Sequence, residues 1–363
     1  MAGSIKIFSR IADVGADRWD ALALACRAPV FYHSRFLAAF EQFPLHNVDE
    51  FFYLAGSDRN GRLTVALPCY RLTGVDPVRI LADHVPEHAD RPALLSGVWH
   101  SYDTWLLAAH PDTDVVAEVL AEVRSLAGLV GAEVYGFTNV AADNVLARLL
   151  DASGVPGIDV DHRFCIELAG YDDVEAFLAT LRRKPRQDLK RMVRRAEAAG
   201  AQFTTTVARA GDLDGFVDLA RAGAHKYGNA DYYRRGIYQR FAAALGEQAR
   251  LVETRYDGRL VGTGLCLLDQ DRYHFWTAGS DYQAIAKVSP FYVTFYLTMA
   301  DAISAHRTVY EMGRRNDVFK LRYGMRRRTL RAYLQLTKRP STRQHGLAAG
   351  RLDTPTPHPV ARS

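Results

Sequence analysis

Cysteine is scarce in this chain: there are four in 363 residues, at positions 26, 69, 165 and 266. None of them forms a Cys-x-x-Cys pair or sits beside a histidine. That scatter excludes a zinc site of the usual spacing and a disulfide framework, so no metal is expected and a reducing, cytoplasmic setting is. Also absent are a Gly-x-Gly-x-x-Gly fingerprint and a Walker sequence, which argues against dehydrogenase and kinase chemistry. The most apolar helical stretch, Phe291 to Ala305, carries Asp301 and is too short to cross a bilayer. The start, Met1-Ala2-Gly3-Ser4-Ile5-Lys6, lacks the apolar core of a signal peptide. No stretch sustains three or four heptads, which excludes a coiled-coil arm. No Ser-His-Asp or Cys-His spacing stands out either.

What the chain does have is a large apolar fraction, 48%, enough for a substantial core. Its length suggests two domains. The net charge of +5 hides a split: residues 1–163 hold 13 Lys+Arg against 21 Asp+Glu, and residues 164–363 hold 33 against 20. The C-terminal half is therefore expected to meet something negative, such as phosphate, a nucleotide-bearing thioester or RNA.

Both halves repeat one plan. In the first, Glu50–Gly56 and Leu63–Leu72 flank the turn Asp58-Arg59-Asn60-Gly61. A helix over Asp114–Ala127, a strand over Ala132–Phe137, a helix over Ala142–Asp151 and a strand over Phe164–Leu168 follow. In the second, Ala249–Tyr256 and Arg259–Leu268 flank Asp257-Gly258, a strong hairpin signal. A strand over Arg272–Ala278 comes next, then a helix with Ser289 as N-cap and Pro290 at its first position, then a strand over Thr308–Met312. Helices over Val174–Leu181, Pro185–Ala199, Leu213–Ala224 and Tyr232–Leu245 precede that hairpin. Each half thus reads as mixed α/β. Domains are expected over 1–163 and 164–338, with a disordered tail over 339–363, where Pro, Thr, Gly and Arg dominate.

Four segments could carry chemistry. Tyr310 to Gly324 reads as a buried strand that breaks at Gly313 into a basic loop and delivers Phe319-Lys320 just before a strand over Thr329–Leu336. A lysine held there, near Arg314, Arg315 and Arg322, suits an anionic ligand or developing negative charge, although a solvated basic loop would look the same. Between 182 and 195 there are eight Lys+Arg on a helix whose Leu189, Met192, Val193 and Ala196 face inward. This is either a solvated face or an electropositive rim. On the second reading, Arg186, just inside the helix start, and Arg191 would engage phosphate. The start of the helix at Ser289 offers free N–H groups to the same kind of ligand. The loop from His225 to Tyr233, before a helix capped by Asp231, could line a substrate groove through Tyr233. His274 on the third hairpin strand and Glu311 on its expected neighbour are candidate proton acceptors.

With those elements in order, the chain resembles the GNAT superfamily, and within it the tandem-GNAT, FemAB-like (FemX-like) N-acyltransferases. The resembling pieces are Trp19 with Phe31–Phe40, Gly61–Leu72, Arg186–Arg195, Arg259–Leu268, Val288–Ala305 and Gly313–Gly324, together spanning about residues 15–336. The resemblance implies two GNAT-like domains, each a mostly antiparallel sheet flanked by helices. It implies transfer of an acyl or aminoacyl group to an amine on a small molecule or peptide. The co-substrate would be acyl-CoA or aminoacyl-tRNA, with no tightly bound cofactor and no DNA partner. It also implies that Phe319-Lys320 helps to stabilise the transition state. Two features depart from the family: the Asp281–Pro290 loop lacks the R/Q-x-x-G-x-G/A pattern of acetyl-CoA enzymes, and the coiled-coil arm is missing. A non-catalytic module that binds RNA or another anion, or a structural partner of a biosynthetic assembly, would share the same composition.

Overall fold

The computed structural model describes residues 4–73, 80–97, 101–225, 228 and 230–337. The tail expected over 339–363 lies outside them, as do Lys226, Tyr227 and Asn229 of the aromatic loop. Among the described residues thirteen strands form one sheet: Lys6–Phe8 (β1), Glu50–Ser57 (β2), Leu63–Leu72 (β3), Ala93–Ser96 (β4), Leu107–Ala108 (β5), Val134–Ala141 (β6), Gly157–Glu167 (β7), Gln202–Val207 (β8), Ala249–Tyr256 (β9), Arg259–Leu268 (β10), Arg272–Ser280 (β11), Val309–Gly313 (β12) and Arg326–Leu336 (β13). Their order across the sheet is β1-β2-β3-β4-β6-β13-β7-β12-β11-β10-β9-β8, with β5 on β3.

The repeat read from the sequence is real. β2, β3 and β4 run antiparallel, and the helix Thr113–Leu129 leads to β6, which lies parallel to β4. β9, β10 and β11 do the same, and the helix Pro290–Ser304 leads to β12, parallel to β11. The turn of the second hairpin has positive φ at both Asp257 and Gly258, 49° and 72°, which only short polar residues and glycine accept readily and which matches strand twist. At the first, the Asp58 carboxylate accepts from the N–H groups of Asn60 and Arg62, both at 2.9 Å.

Chain exchange joins the halves. β13, the last strand, pairs antiparallel with β6 on one side and β7 on the other. β7 runs across the 163/164 position and carries its far end onto β12. One core cluster is shared as well: Trp19, Phe31, Phe36 and Phe40 pack with Phe216, Tyr238 and Phe241. Further cores include one under the helices Thr113–Leu129 and Val145–Ala152 and another under Pro290–Ser304 on the opposite face, and a smaller one joins Ala196 to Val261, Ile285, Val288 and Val293. No helix among the described residues is long and apolar enough to cross a membrane.

Several local expectations need correction. Phe319 and Lys320 lie in a short helix, Asp317–Arg322, and the following strand starts at Arg326 rather than Thr329. The basic helix begins at Arg183, with Arg182 as N-cap, so Pro185 is its third residue and Arg186 its fourth. Tyr232 belongs to a 3-10 turn, Ala230–Tyr232, and the helix after it is Ile237–Ala244 with Gly236 at its N-cap, not Asp231. The edge strand β8 was missed because its threonines are mostly exposed and leave little apolar alternation to read.

Candidate functional site at the divergence of two strands

A parallel pair of strands that parts leaves backbone facing a gap. β11 and β12 pair only through Arg272↔Val309, Tyr273↔Tyr310 and His274↔Glu311. Past that point β11 stays on β10 as far as Ser280, and β12 stays on β7 as far as Gly313. The equivalent gap in the first half is closed by its own loop: Thr104 N–H donates to Asn139 O at 2.9 Å and its hydroxyl to Thr138 O. In the second half the gap is entered by a side chain from the first. The Tyr102 hydroxyl donates to Trp276 O at 2.9 Å, and its ring lies so close to Gly313 that a Cβ there would meet Cζ at 2.5 Å.

The wall on the β12 side is the Gly313–Asn316 loop, with positive φ at Gly313, Arg315 and Asn316. Lys320 holds it from beneath. Its Nζ donates to Gly313 O at 2.9 Å and Arg314 O at 2.6 Å, and lies 5.0 Å from the Phe164 ring centre. The side chain is only 2% exposed. Burial pulls its pKa down to about 7, against the opposing pull of Asp317, Asp161 and Glu311. Phe319 is packed among Phe291, Tyr292, Phe295 and Tyr323, with ring centres 4.6–5.2 Å away. It therefore locks the short helix to the start of Pro290–Ser304.

The other predicted residues separate into near and far. His274 and Glu311 are direct partners across the last paired position. His274 Nε2 is 3.0 Å from Asp269 Oδ2, and both side chains are buried. Asp269 also accepts from the N–H groups of Val30, Asp271 and Arg272. Burial raises the Asp269 pKa, but the bond to His274 and the neighbouring positive charges outweigh it and hold the carboxyl below its usual range. His274 is thus tied into the contact between the halves. Tyr233 bonds Thr277 Oγ1 on β11, beside the gap. Ser289 is the N-cap of Pro290–Ser304 but its side chain makes no capping bond. Arg186 donates back to Ala179 O at 3.3 Å, and Arg191 pairs with Asp188 at 2.6 Å. Arg186 is half-buried and Arg191 exposed on the basic helix, and Arg315 is exposed on the loop. Arg195 ties the basic helix to the loop before Ser289 through Lys287 O, at 3.2 Å.

Apart from Glu311, sequence reasoning missed the residues that line the cavity on the other face. A hollow of about 480 Å³ lies between the halves, walled by the 103–111 segment and the Val145–Ala152 helix on one side and by β7, β12 and β13 on the other. Arg163 and Glu311 pair within it, and Arg163 Nη2 is 3.4 Å from Asp103 Oδ2. Burial opposes the Arg163 charge, but Glu311 and Asp103 overcome that and raise its pKa above the ordinary value. Glu311 thus lies both in the cavity wall and at the point of divergence. Nothing local in the sequence marks Asp103, Arg163 or Tyr102, because they meet only through the exchange of strands.

Residues 183–321 match the family described as an acetyltransferase (GNAT) domain. Among solved structures, FemX is 11% identical with a TM-score of 0.60, over 88% of this chain and 96% of that one. A tandem GNAT protein from the clavulanic acid biosynthesis pathway is 13% identical with a TM-score of 0.53, over 93% and 100%. The C-terminal domain of a putative lysylphosphatidylglycerol synthetase from Agrobacterium fabrum is 10% identical with a TM-score of 0.53, over 89% and 92%. Likeness at those identities is likeness of fold. No curated protein matches the chain.

Proposed function

We propose that this chain, whose residues 183–321 match the acetyltransferase (GNAT) domain family and whose fold is that of FemX and a tandem GNAT protein, moves an acyl or aminoacyl group from an activated, phosphate-bearing donor to an amine, forming an amide in the gap between β11 and β12. The observation that carries this reading is the parting of those strands directly after His274↔Glu311. It leaves a slot with a helix start on one side and the Lys320-supported loop on the other. The slot orients the donor carbonyl, and the positive end of the Pro290–Ser304 helix together with the basic helix beside it receives donor phosphates.

Lys320 has two of its three donors on loop carbonyls. It shapes the wall and places a positive charge behind the developing oxyanion, where one such donor is worth on the order of 10²–10³ in rate. Phe319 positions Lys320 through the aromatic cluster. The basic helix, Arg183–Ala198, is about 24 Å long at ~1.5 Å per residue. That is longer than one pyrophosphate needs, which supports aminoacyl-tRNA as donor, with acyl-CoA the smaller alternative. Four unpaired thiols suit a cytoplasmic setting.

The test is to supply acyl-CoA or aminoacyl-tRNA with a panel of amines and follow release of CoA or tRNA against salt. A tRNA donor predicts binding that falls steeply with log salt concentration, as released counterions require. A CoA donor predicts a shallow slope. Tight RNA binding with no release under any amine would instead favour the non-catalytic, anion-binding module.

A further inference from the structure

Charge in the buried cluster between the halves does not balance. Arg163 contributes one positive charge against the two carboxylates that face it, Glu311 and Asp103. All three side chains are at most 13% exposed. Asp103 is otherwise satisfied, since its Oδ1 accepts from Ala141 N–H at 3.1 Å and Asn144 Nδ2 at 3.0 Å. Glu311 is not. Its Oε1 takes the Arg163 bond, whereas Oε2 is buried without a hydrogen-bond partner. A buried carboxylate oxygen with no donor, beside a surplus negative charge, is costly unless a cation completes it.

Glu311 is part of the wall of the cavity, which at about 480 Å³ holds roughly sixteen water-sized groups at ~30 Å³ each. The remaining lining is largely apolar where the first half covers it: Trp105, Leu106, Pro111, Leu146 and Leu149. The arginines at its edge already have partners, Arg272 on Asp269 and Arg328 on Asp143 and Glu167. Among the described residues no group of three or more His, Cys, Asp or Glu could hold a metal ion, so an ammonium fits where a metal would not.

We infer that this cavity is the acceptor site, that it takes a small primary amine with an apolar body, and that Glu311 receives the ammonium. The inference rests on the acyl-transfer reading above and names its acceptor class. The ammonium gives one proton to Glu311, and the free amine nitrogen forms a C–N bond to the donor's carbonyl carbon. The donor's C–S or C–O bond breaks, and the departing thiolate or alkoxide takes the second nitrogen-bound proton. Glu311 returns its proton to solvent. A nucleotide-linked sugar or a folded protein could not enter whole, so the acceptor is a small molecule or a chain end.

The test is calorimetric titration of the full chain, without donor, using n-hexylamine and 2-phenylethylamine against 1-hexanol and 2-phenylethanol. Each amine is expected to bind at least tenfold more tightly than its alcohol, and Glu311→Gln to erase that advantage. Equal binding of amine and alcohol by the unaltered protein overturns the inference, as does an undiminished preference in a folded Glu311→Gln. If circular dichroism shows that variant unfolded, Leu149→Trp decides. It fills the cavity from a partly exposed position, and amine binding that survives it overturns the inference. Because no donor is present, failure here leaves the transfer reading standing. Intact amine binding without product from any donor would sink the transfer reading alone.

Discussion

Lys320 gives the sharpest test of how the site is held. Its ordinary pKa of 10.5 falls to about 7 in the fold, chiefly through burial. The folded protein therefore binds fewer protons than the unfolded chain between pH 7 and 10.5. Stability must rise as pH climbs through that window, because the penalty for a buried ammonium is fully present below about 7 and gone above 10.5. At 1.36 kcal/mol per pKa unit, the full swing is at most about 5 kcal/mol. Lys320→Met keeps the length of the side chain and removes the titration. It also leaves Gly313 O and Arg314 O without their donor, at about 1–3 kcal/mol each. Near pH 6 those losses offset the relief of the buried charge, so the two proteins should be close in stability. Near pH 10 the lysine protein should be more stable by several kcal/mol. Urea unfolding of both proteins at half-unit steps from pH 6 to 10.5 measures this, since every other titrating group cancels in the difference. Parallel curves would refute the buried-ammonium account.

Other outcomes follow from the same geometry. Gly313→Ala should destabilise by about 2–3 kcal/mol and depress turnover, since its φ of 59° is strained for alanine and the new methyl would meet the Tyr102 ring at 2.5 Å; adding Tyr102→Ala should restore only part of the loss in a thermal melt. Phe319→Ala removes the centre of an aromatic cluster and should cost about 3–5 kcal/mol in chemical unfolding, with activity lost as the loop loosens. Asp188 anchors both Arg191 and Arg322, so Asp188→Asn should raise proteolytic nicking near Asp317–Arg322 while changing global stability by about 1 kcal/mol or less. Arg186→Ala together with Arg191→Ala should weaken donor binding and flatten its salt dependence, read by filter binding, without moving the melting temperature.

Legibility in the sequence followed the range of the interaction. The β9–β10 hairpin could be bounded to the residue because Asp257-Gly258 sets its turn locally. The helix from Pro290 was equally plain from Ser289 and the proline. His274 facing Glu311 followed from topology, since strand, helix and strand in that order make parallel neighbours. Lys320 stood out by its setting as a candidate, but its helix was hidden because six residues give too little periodicity to read. Asp103, Arg163 and Tyr102 gave no signal at all. Arg163 lies 148 positions from Glu311, and no local pattern records a pairing made by the interleaving of two halves.

That interleaving has a consequence for how the molecule can be made. β6 has no partner on its inner edge until β13, residues 326–336, arrives. A ribosome therefore synthesises nearly all of the chain before the first half can finish its hydrogen-bond ladder. Until then β6 presents a raw edge to whatever else can add a strand. Expressing the two halves as separate genes should yield an aggregating first piece, rescued only when the second is co-produced and donates its final strand.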